Sequence, residues 1–150
     1  MSDVHLRDVT EADLPIFFEH QRDPEAVRMV AFNSRDRDAF MAHWARIMAD
    51  ESGVLRTVVV DGRVAGNVMS FVHDGRREIG YWIGREFWGR GIATAALSEF
   101  LVLEKRRPLY AGVASHNVAS IRVLEKCGFV RAESNEASDG IEEVLLELLT

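Results

Sequence analysis

Residues 78–94 read EIGYWIGREFWGRGIAT and carry the strongest structural signal in the chain. Ile79 to Ile83 is an apolar, β-favouring run that predicts a strand, and Gly84 breaks it. Trp88-Gly89-Arg90-Gly91 then leads into Ile92-Ala93-Thr94, the start of a helix running to about Lys105 with Ala95, Ala96, Phe100 and Leu101 in apolar rows. Glycines between a strand and a helix let backbone N–H groups turn inward, and the helix start adds a partial positive charge. A phosphate or pyrophosphate can bind at such a place without a large net basic charge. Arg85 and Arg90 would reinforce it. The same glycines suit a plain tight turn, and a lone Gly-x-Gly does not separate the two readings.

Upstream, Leu55 to Val60 and Val64 to Val72 flank Asp61-Gly62, a favoured two-residue hairpin turn, and Asp74-Gly75 repeats the device before Ile79. Residues 55–83 therefore read as an antiparallel meander, since connections this short cannot join parallel strands. Val4 to Val9 suits a short strand, and Thr10 with Asp13 resembles a capping box ahead of a helix through Phe17 and Phe18. Pro24 fits a first helical position. Asp36 precedes Phe40, Trp44, Ile47 and Met48, which share one helical face and read as core.

Downstream, Pro108 closes the helical segment and Leu109 to Ala114 returns as a strand, parallel to Ile79–Ile83 across the helix. A helix from about Asn117 to Lys126 ends at Gly128, and a strand starts at Phe129. Ile141 to Leu149 is ambiguous: Ile141, Val144, Leu145 and Leu148 have helical spacing, but the short length and the sheet already present favour a final strand. The whole chain, 1–150, reads as a single α+β domain with a mixed sheet flanked by helices.

Composition excludes several classes. With 47% hydrophobic residues and 3 prolines, the 150-residue chain lacks the signature of disorder and is long enough to bury a core. Cys127 is the only cysteine, so no intramolecular disulfide and no multi-cysteine zinc site can form, and a cytoplasmic setting is expected. The five histidines show no metal-ligand spacing, and no metal is expected. A net charge of -6 with scattered Lys and Arg disfavours nucleic acid, and no apolar run approaches the roughly 20 residues that span a bilayer. Neither nucleic acid nor membrane is an expected partner, and the chain is expected as a monomer or homodimer. Cys127 reads as a packing residue.

Known phosphate loops can be tested directly. A Walker loop needs Lys-Ser or Lys-Thr after its last glycine, and Gly91 is followed by Ile92-Ala93. A dinucleotide fingerprint needs Gly or Ala where Thr94 stands and should follow the first strand of a parallel sheet, whereas this strand closes a meander. The run Glu78-Ile79-Gly80-Tyr81-Trp82-Ile83 followed by Phe87-Trp88-Gly89-Arg90-Gly91-Ile92-Ala93-Thr94 instead resembles the acyl-CoA-binding motif of the GNAT superfamily of N-acetyltransferases. The core of that motif is (Gln/Arg)-x-x-Gly-x-(Gly/Ala). Gly91 and Ala93 match its last fixed positions, while Trp88 replaces the Gln or Arg, as in the branch that includes the ribosomal-protein alanine N-acetyltransferases. A second motif, Asn117-x-x-Ser120-x-x-Val123-x-x-Lys126-x-Gly128-Phe129, resembles the helix and strand that follow the fifth strand of that fold.

The resemblance implies a GNAT fold in which the fourth and fifth strands splay around acetyl-CoA. The pantetheine arm would lie against the backbone of Tyr81, Trp82 and Ile83, and the pyrophosphate on Gly89 to Thr94 (Gly89, Arg90, Gly91, Ile92, Ala93, Thr94), with Trp88 and Arg85 adjacent. Asn117 and Ser120 would face the cofactor from one side of their helix. A strand N–H near Trp82 or Ile83 would hold the thioester carbonyl as an amine attacks. Glu78 would act as base through water, although a solvated strand carboxylate is an equal reading. Leu124 occupies the position where many relatives carry an acidic tyrosine, and Ser120 is the substitute the alanine-acetyltransferase branch suggests. The implied reaction is acetyl transfer to a primary amine, on a protein or peptide N-terminus or on a polyamine or antibiotic. The alternative is a CoA-binding sensor that has lost catalysis. Acceptor groups are expected from about Phe17 to Asn33, where Glu19, Asp23 and Glu25 could attract a cation.

Overall fold

Both Asp-Gly pairs form the turns their chemistry predicts. In the computed structural model, which describes residues 3–30, 36–132, 136–138 and 141–150, Asp61 and Gly62 have φ of 49° and 81°, and Asp74 and Gly75 have φ of 50° and 75°. Two consecutive positive φ values match a turn to the right-handed twist of its flanking strands. The meander follows as β2 (Val54–Val60), β3 (Arg63–His73) and β4 (Arg76–Ile83), with β1 (Val4–Asp8) antiparallel to β2. The β2–β3 register shifts between Val58 and Val59. Beside this shift a Cβ on Gly66 would stand 2.0 Å from the Trp82 carbonyl oxygen, so no side chain fits between β3 and β4 there.

The helices are α1 (Leu14–Gln21), α2 (Pro24–Val30), α3 (Arg37–Ala49), α4 (Ile92–Leu103) and α5 (Val118–Lys126). The Asp36 carboxylate caps α3 by accepting from the Ala39 N–H at 2.8 Å, as the sequence predicts. Helix α4 stops short of Lys105 because Glu104 leaves helical geometry (φ -95°, ψ 97°) and its carboxylate turns back to accept from the Arg106 N–H and guanidinium.

β5 (Leu109–Ala114) and β8 (Ile141–Leu148) complete the sheet with β6 (Val130–Arg131), in the order β1-β2-β3-β4-β5-β8-β6, and β7 (Glu136–Ser138) also pairs with β8. The ambiguous C-terminal segment is thus a strand. It runs antiparallel to β5 from Leu109↔Leu148 to Ala114↔Glu143 and satisfies a backbone edge that would otherwise be bare.

Core side chains cover both faces of the sheet. Ile92, Ala96, Leu97 and Phe100 of α4 and Ile121 and Leu124 of α5 pack on Ile79, Leu109 and Leu146. On the opposite face Leu14, Phe17, Phe18, Phe40 and Trp44 form a second cluster, with the Phe17 and Trp44 rings 5.1 Å apart. Asp13 locks β1 and β2 to the start of α1, accepting from Arg7 at 2.8 and 2.9 Å, from the Thr57 hydroxyl at 2.7 Å and from the Thr10 N–H at 2.9 Å. Burial pushes this carboxyl up, but the hydrogen bonds from Arg7, Thr10 and Thr57 outweigh it and hold the pKa at about 2. Among the described residues, no helix is long and apolar enough to cross a membrane.

Candidate active site

β4 and β5 are parallel but share a single partner pair, Glu78↔Tyr110, while β4 pairs with β3 from Gly66↔Ile83 to His73↔Arg76. Beyond Glu78 the two parallel strands part, so the β4 backbone from Ile79 to Ile83 has no strand partner on that side. A cleft of about 260 Å³ occupies the opening. Its walls are Tyr81, Trp82 and Ile83 of β4, Phe87, Trp88, Gly89 and Gly91 of the loop, Ile92, Ala93 and Thr94 of α4, Asn117, Ala119, Ser120 and Val123 of α5, and Ala26 of α2.

The loop is built to present backbone. Gly89 and Gly91 have φ of 75° and 73°, a conformation that strains any L side chain, and at neither position would a Cβ meet an atom within 4 Å. Gly91 is the N-cap of α4 and supplies no side-chain cap, which leaves the first-turn N–H groups of α4, at the cleft wall formed by Ile92, Ala93 and Thr94, as candidate anion donors. The Trp88 indole N–H donates to the Ile83 carbonyl at 2.8 Å. In the slot where the motif carries Gln or Arg, this indole clips the loop to the end of β4.

Arg85 and Arg90 do not line the cleft. Arg85 pairs with Asp23 and Arg90 with Asp61, each at 3.4 Å and each partly exposed. Surface pairs of this kind contribute roughly 0–1 kcal/mol, so neither ion pair is by itself a large barrier to turning towards an incoming anion; Arg90 also lies over the Phe87 ring, 5.8 Å from its centroid. Asn117 caps α5, its Oδ1 accepting from the Ser120 N–H at 3.3 Å. Across the cleft, the Tyr81 hydroxyl lies 2.5 Å from the Ser120 Oγ and 3.3 Å from the Ser120 carbonyl oxygen. Burial pushes the Tyr81 phenol up, the Ser120 hydrogen bond pulls it partly back, and the result is about 12. Leu124 is fully buried in the core.

Glu78 lies outside the cleft lining, at the foot of the opening, with its Oε2 3.1 Å from the His73 Nδ1. Being three residues apart on a strand, Glu78 and Tyr81 project to opposite faces of the sheet. The acids on the first helices are all engaged. Glu19 pairs with Arg22, Glu25 pairs with Arg28, and Asp23 caps α2 through the Glu25 N–H at 2.9 Å while pairing with Arg85. Phe17 and Phe18 are core, and residues 31–33 of the expected acceptor region lie outside the described residues. The Cys127 Sγ rests 3.5 Å from the Ser98 Oγ. Among the described residues, no cluster of His, Cys, Asp and Glu could hold a metal ion.

Ala26 and Ala119 line the cleft without having been singled out by the sequence, and Phe87 and Val123, quoted there only as motif positions, line it as well. The methyl side chains of Ala26 and Ala119 carry no motif signal, and only their place in the fold makes them a wall.

Three comparisons with known proteins bear on this geometry. A family model described as the acetyltransferase (GNAT) domain matches residues 3–130. YdaF of Bacillus subtilis (strain 168), provisionally named a ribosomal N-acetyltransferase, is 33% identical over 113 residues, 70% of this chain and 60% of that protein. The chain thus spans less than two thirds of that relative's length. The aminoglycoside acetyltransferase AAC(6')-Ib in complex with coenzyme A superposes with a TM-score of 0.80 at 21% identity, covering 98% of this chain and 95% of the other. RimL, the ribosomal L7/L12 alpha-N-protein acetyltransferase in complex with coenzyme A, gives a TM-score of 0.81 at 16% identity, covering 97% and 93%. At those identities the two structures establish a shared fold.

Proposed function

Because the chain belongs to the GNAT acetyltransferase family, we propose that it transfers an acetyl group from acetyl-CoA to a primary amine, by direct attack of the amine on the bound thioester. The observation that carries this reading is the pairing of an open β4–β5 edge with an uncapped, glycine-led helix start in one cleft. An extended arm with amide groups needs strand edge, and a pyrophosphate needs clustered N–H donors. The cleft supplies both, and its net -6 chain needs no basic patch to do so. Gly89 to Thr94 hold the pyrophosphate with Arg85 and Arg90 swinging in, while Tyr81 to Ile83 and Asn117 line the pantetheine arm. A β4 N–H near Trp82 or Ile83 stabilises the oxyanion.

Before attack the ammonium must lose its proton. Glu78, at the foot of the opening, takes it through water with His73 beside its carboxylate. Ser120 faces the departing sulfur. The favoured acceptor is a protein or peptide N-terminus, in line with the name carried by the 33%-identical relative. A polyamine or antibiotic amine is the second choice, and the aminoglycoside acetyltransferase of like fold is its support. The setting is cytoplasmic.

Thiol release from acetyl-CoA against peptides, polyamines and aminoglycosides tests the activity. Tight CoA binding without turnover on any amine would instead favour a sensor. Gly91→Asp puts a negative charge and a strained side chain at the pyrophosphate position, and CoA affinity measured by calorimetry should fall at least about 100-fold. Unchanged affinity would remove the loop from the site.

A further inference from the structure

We propose that Tyr81 works through Ser120 as a two-hydroxyl proton relay for the departing thiolate, replacing from the strand side the acid that Leu124 cannot supply from the helix. The inference rests on the acetyl-CoA reading of the cleft. Its structural basis is the contact between β4 and α5: both residues line the cleft, and their hydroxyls stand 2.5 Å apart. Leu124 lies in the core with no exposed surface, so the helix position associated with an acid is apolar and sealed. A serine hydroxyl alone is a very weak acid. Coupled to a phenol, it becomes the hydrogen-bond bridge through which a stronger acid acts.

The geometry also fits the direction of transfer. Two donors share the Tyr81–Ser120 contact, and if the phenol donates to the Ser120 Oγ, the serine hydrogen is left free to point into the cleft. Burial keeps the phenol protonated through the pH range in which free amines react, so it enters each turnover as a donor. As the amine nitrogen bonds to the acetyl carbon and the carbon–sulfur bond breaks, the bonding pair stays on sulfur. Ser120 gives its hydroxyl hydrogen to that sulfur, Tyr81 gives its own to the Ser120 Oγ, and the phenolate regains a proton from solvent; the nitrogen, whose first proton has gone through water to Glu78, releases its second to solvent as the amide forms. No oxidant, reductant or metal enters the balance.

The test needs no knowledge of the acceptor. A hydroxyl donating to a bound thiolate stabilises the charged form and lowers the thiol pKa. The probe is CoA itself: the ultraviolet thiolate absorbance of CoA bound to excess protein is titrated against pH, with desulfo-CoA as the blank that subtracts protein tyrosine and Cys127 signals. Tyr81→Phe keeps the ring and removes one hydroxyl, and Ser120→Ala removes the other. The bound thiol pKa should rise by about one unit in each variant. The double variant should rise no further than Ser120→Ala alone, because Tyr81 acts only through Ser120. Desulfo-CoA affinity is measured for each variant and sets the protein excess at which its bound CoA is titrated.

Equal thiol pKa values in parent and Tyr81→Phe would overturn the relay while leaving the acetyl-CoA reading intact. Additive shifts in the double variant would overturn it too, since Tyr81 would then act independently of Ser120. Loss of desulfo-CoA affinity in Tyr81→Phe would reduce the contact to a structural strut. Failure of the parent protein to bind CoA at all would instead remove the proposed function. If Tyr81→Phe does not fold, the serine arm decides: an unshifted thiol pKa in Ser120→Ala refutes the relay, and a raised one supports it.

Discussion

Gly66→Ala should damage the cofactor cleft from the far side of β4. The added Cβ would sit 2.0 Å from the Trp82 carbonyl oxygen and 3.0 Å from the Ile83 Cα, both backbone atoms that cannot rotate away. Restoring an ordinary carbon–oxygen separation of about 3.3 Å requires β3 and β4 to part by roughly 1.3 Å, against a normal strand spacing of about 4.8 Å. Overpacking of this kind costs about 1–3 kcal/mol. The displaced segment, Trp82 and Ile83, also forms the cleft wall. A shift of about 1 Å in positioning groups can cost about 100-fold in rate, so CoA affinity should fall at least tenfold along with stability. Urea unfolding reads the first quantity and calorimetric titration with CoA the second. Gly62→Ala is the control: its Cβ meets nothing within 4 Å, but its φ of 81° is strained, so it should lose about 1 kcal/mol and keep its CoA affinity. Wild-type stability and affinity in Gly66→Ala would refute the close approach and its link to the cleft.

Two further predictions concern buried carboxylates. Asp13, held at about 2, contributes stability that is present above its unfolded value near 4 and lost as pH falls towards 2. The stability gap between the parent and Asp13→Asn, followed by urea midpoint, should therefore shrink by about 2 kcal/mol between pH 6 and pH 2, and a constant gap would contradict the network. Glu104→Gln should cost about 3 kcal/mol in chemical denaturation, because it strips the countercharge from Arg77, whose side chain is 12% exposed and 4.0 Å away. Adding Arg77→Met should recover part of that loss, and a further loss of comparable size would refute the pairing.

Local chemistry made much of this molecule readable from the chain alone. Asp-Gly needs only its own φ preferences to build a hairpin, so both turns of the meander were legible, as were the Asp36 cap and the glycine break before α4. Most of the expected cofactor residues line one cleft for the same reason, since the segment 81–94 is a contiguous strand, loop and helix start. That Arg85 and Arg90 stand outside the cleft lining was not legible, because the partners that hold them, Asp23 and Asp61, are distant in sequence and near only in space.

Short-range preferences could not choose the state of Ile141–Leu148, whose apolar spacing suits a helix, and the unpaired edge of β5 made it a strand. Nor could they reveal that Gly66 is pinned by β4, that β4 and β5 hold each other only at Glu78 and Tyr110, or that the Tyr81 and Ser120 hydroxyls meet. Those features join residues as many as 39 positions apart. Local φ/ψ and side-chain preferences, which act over a few residues, wrote the turns, caps and glycine loop into the chain. The cleft and its hydroxyl pair exist only once packing has closed the long loops between them.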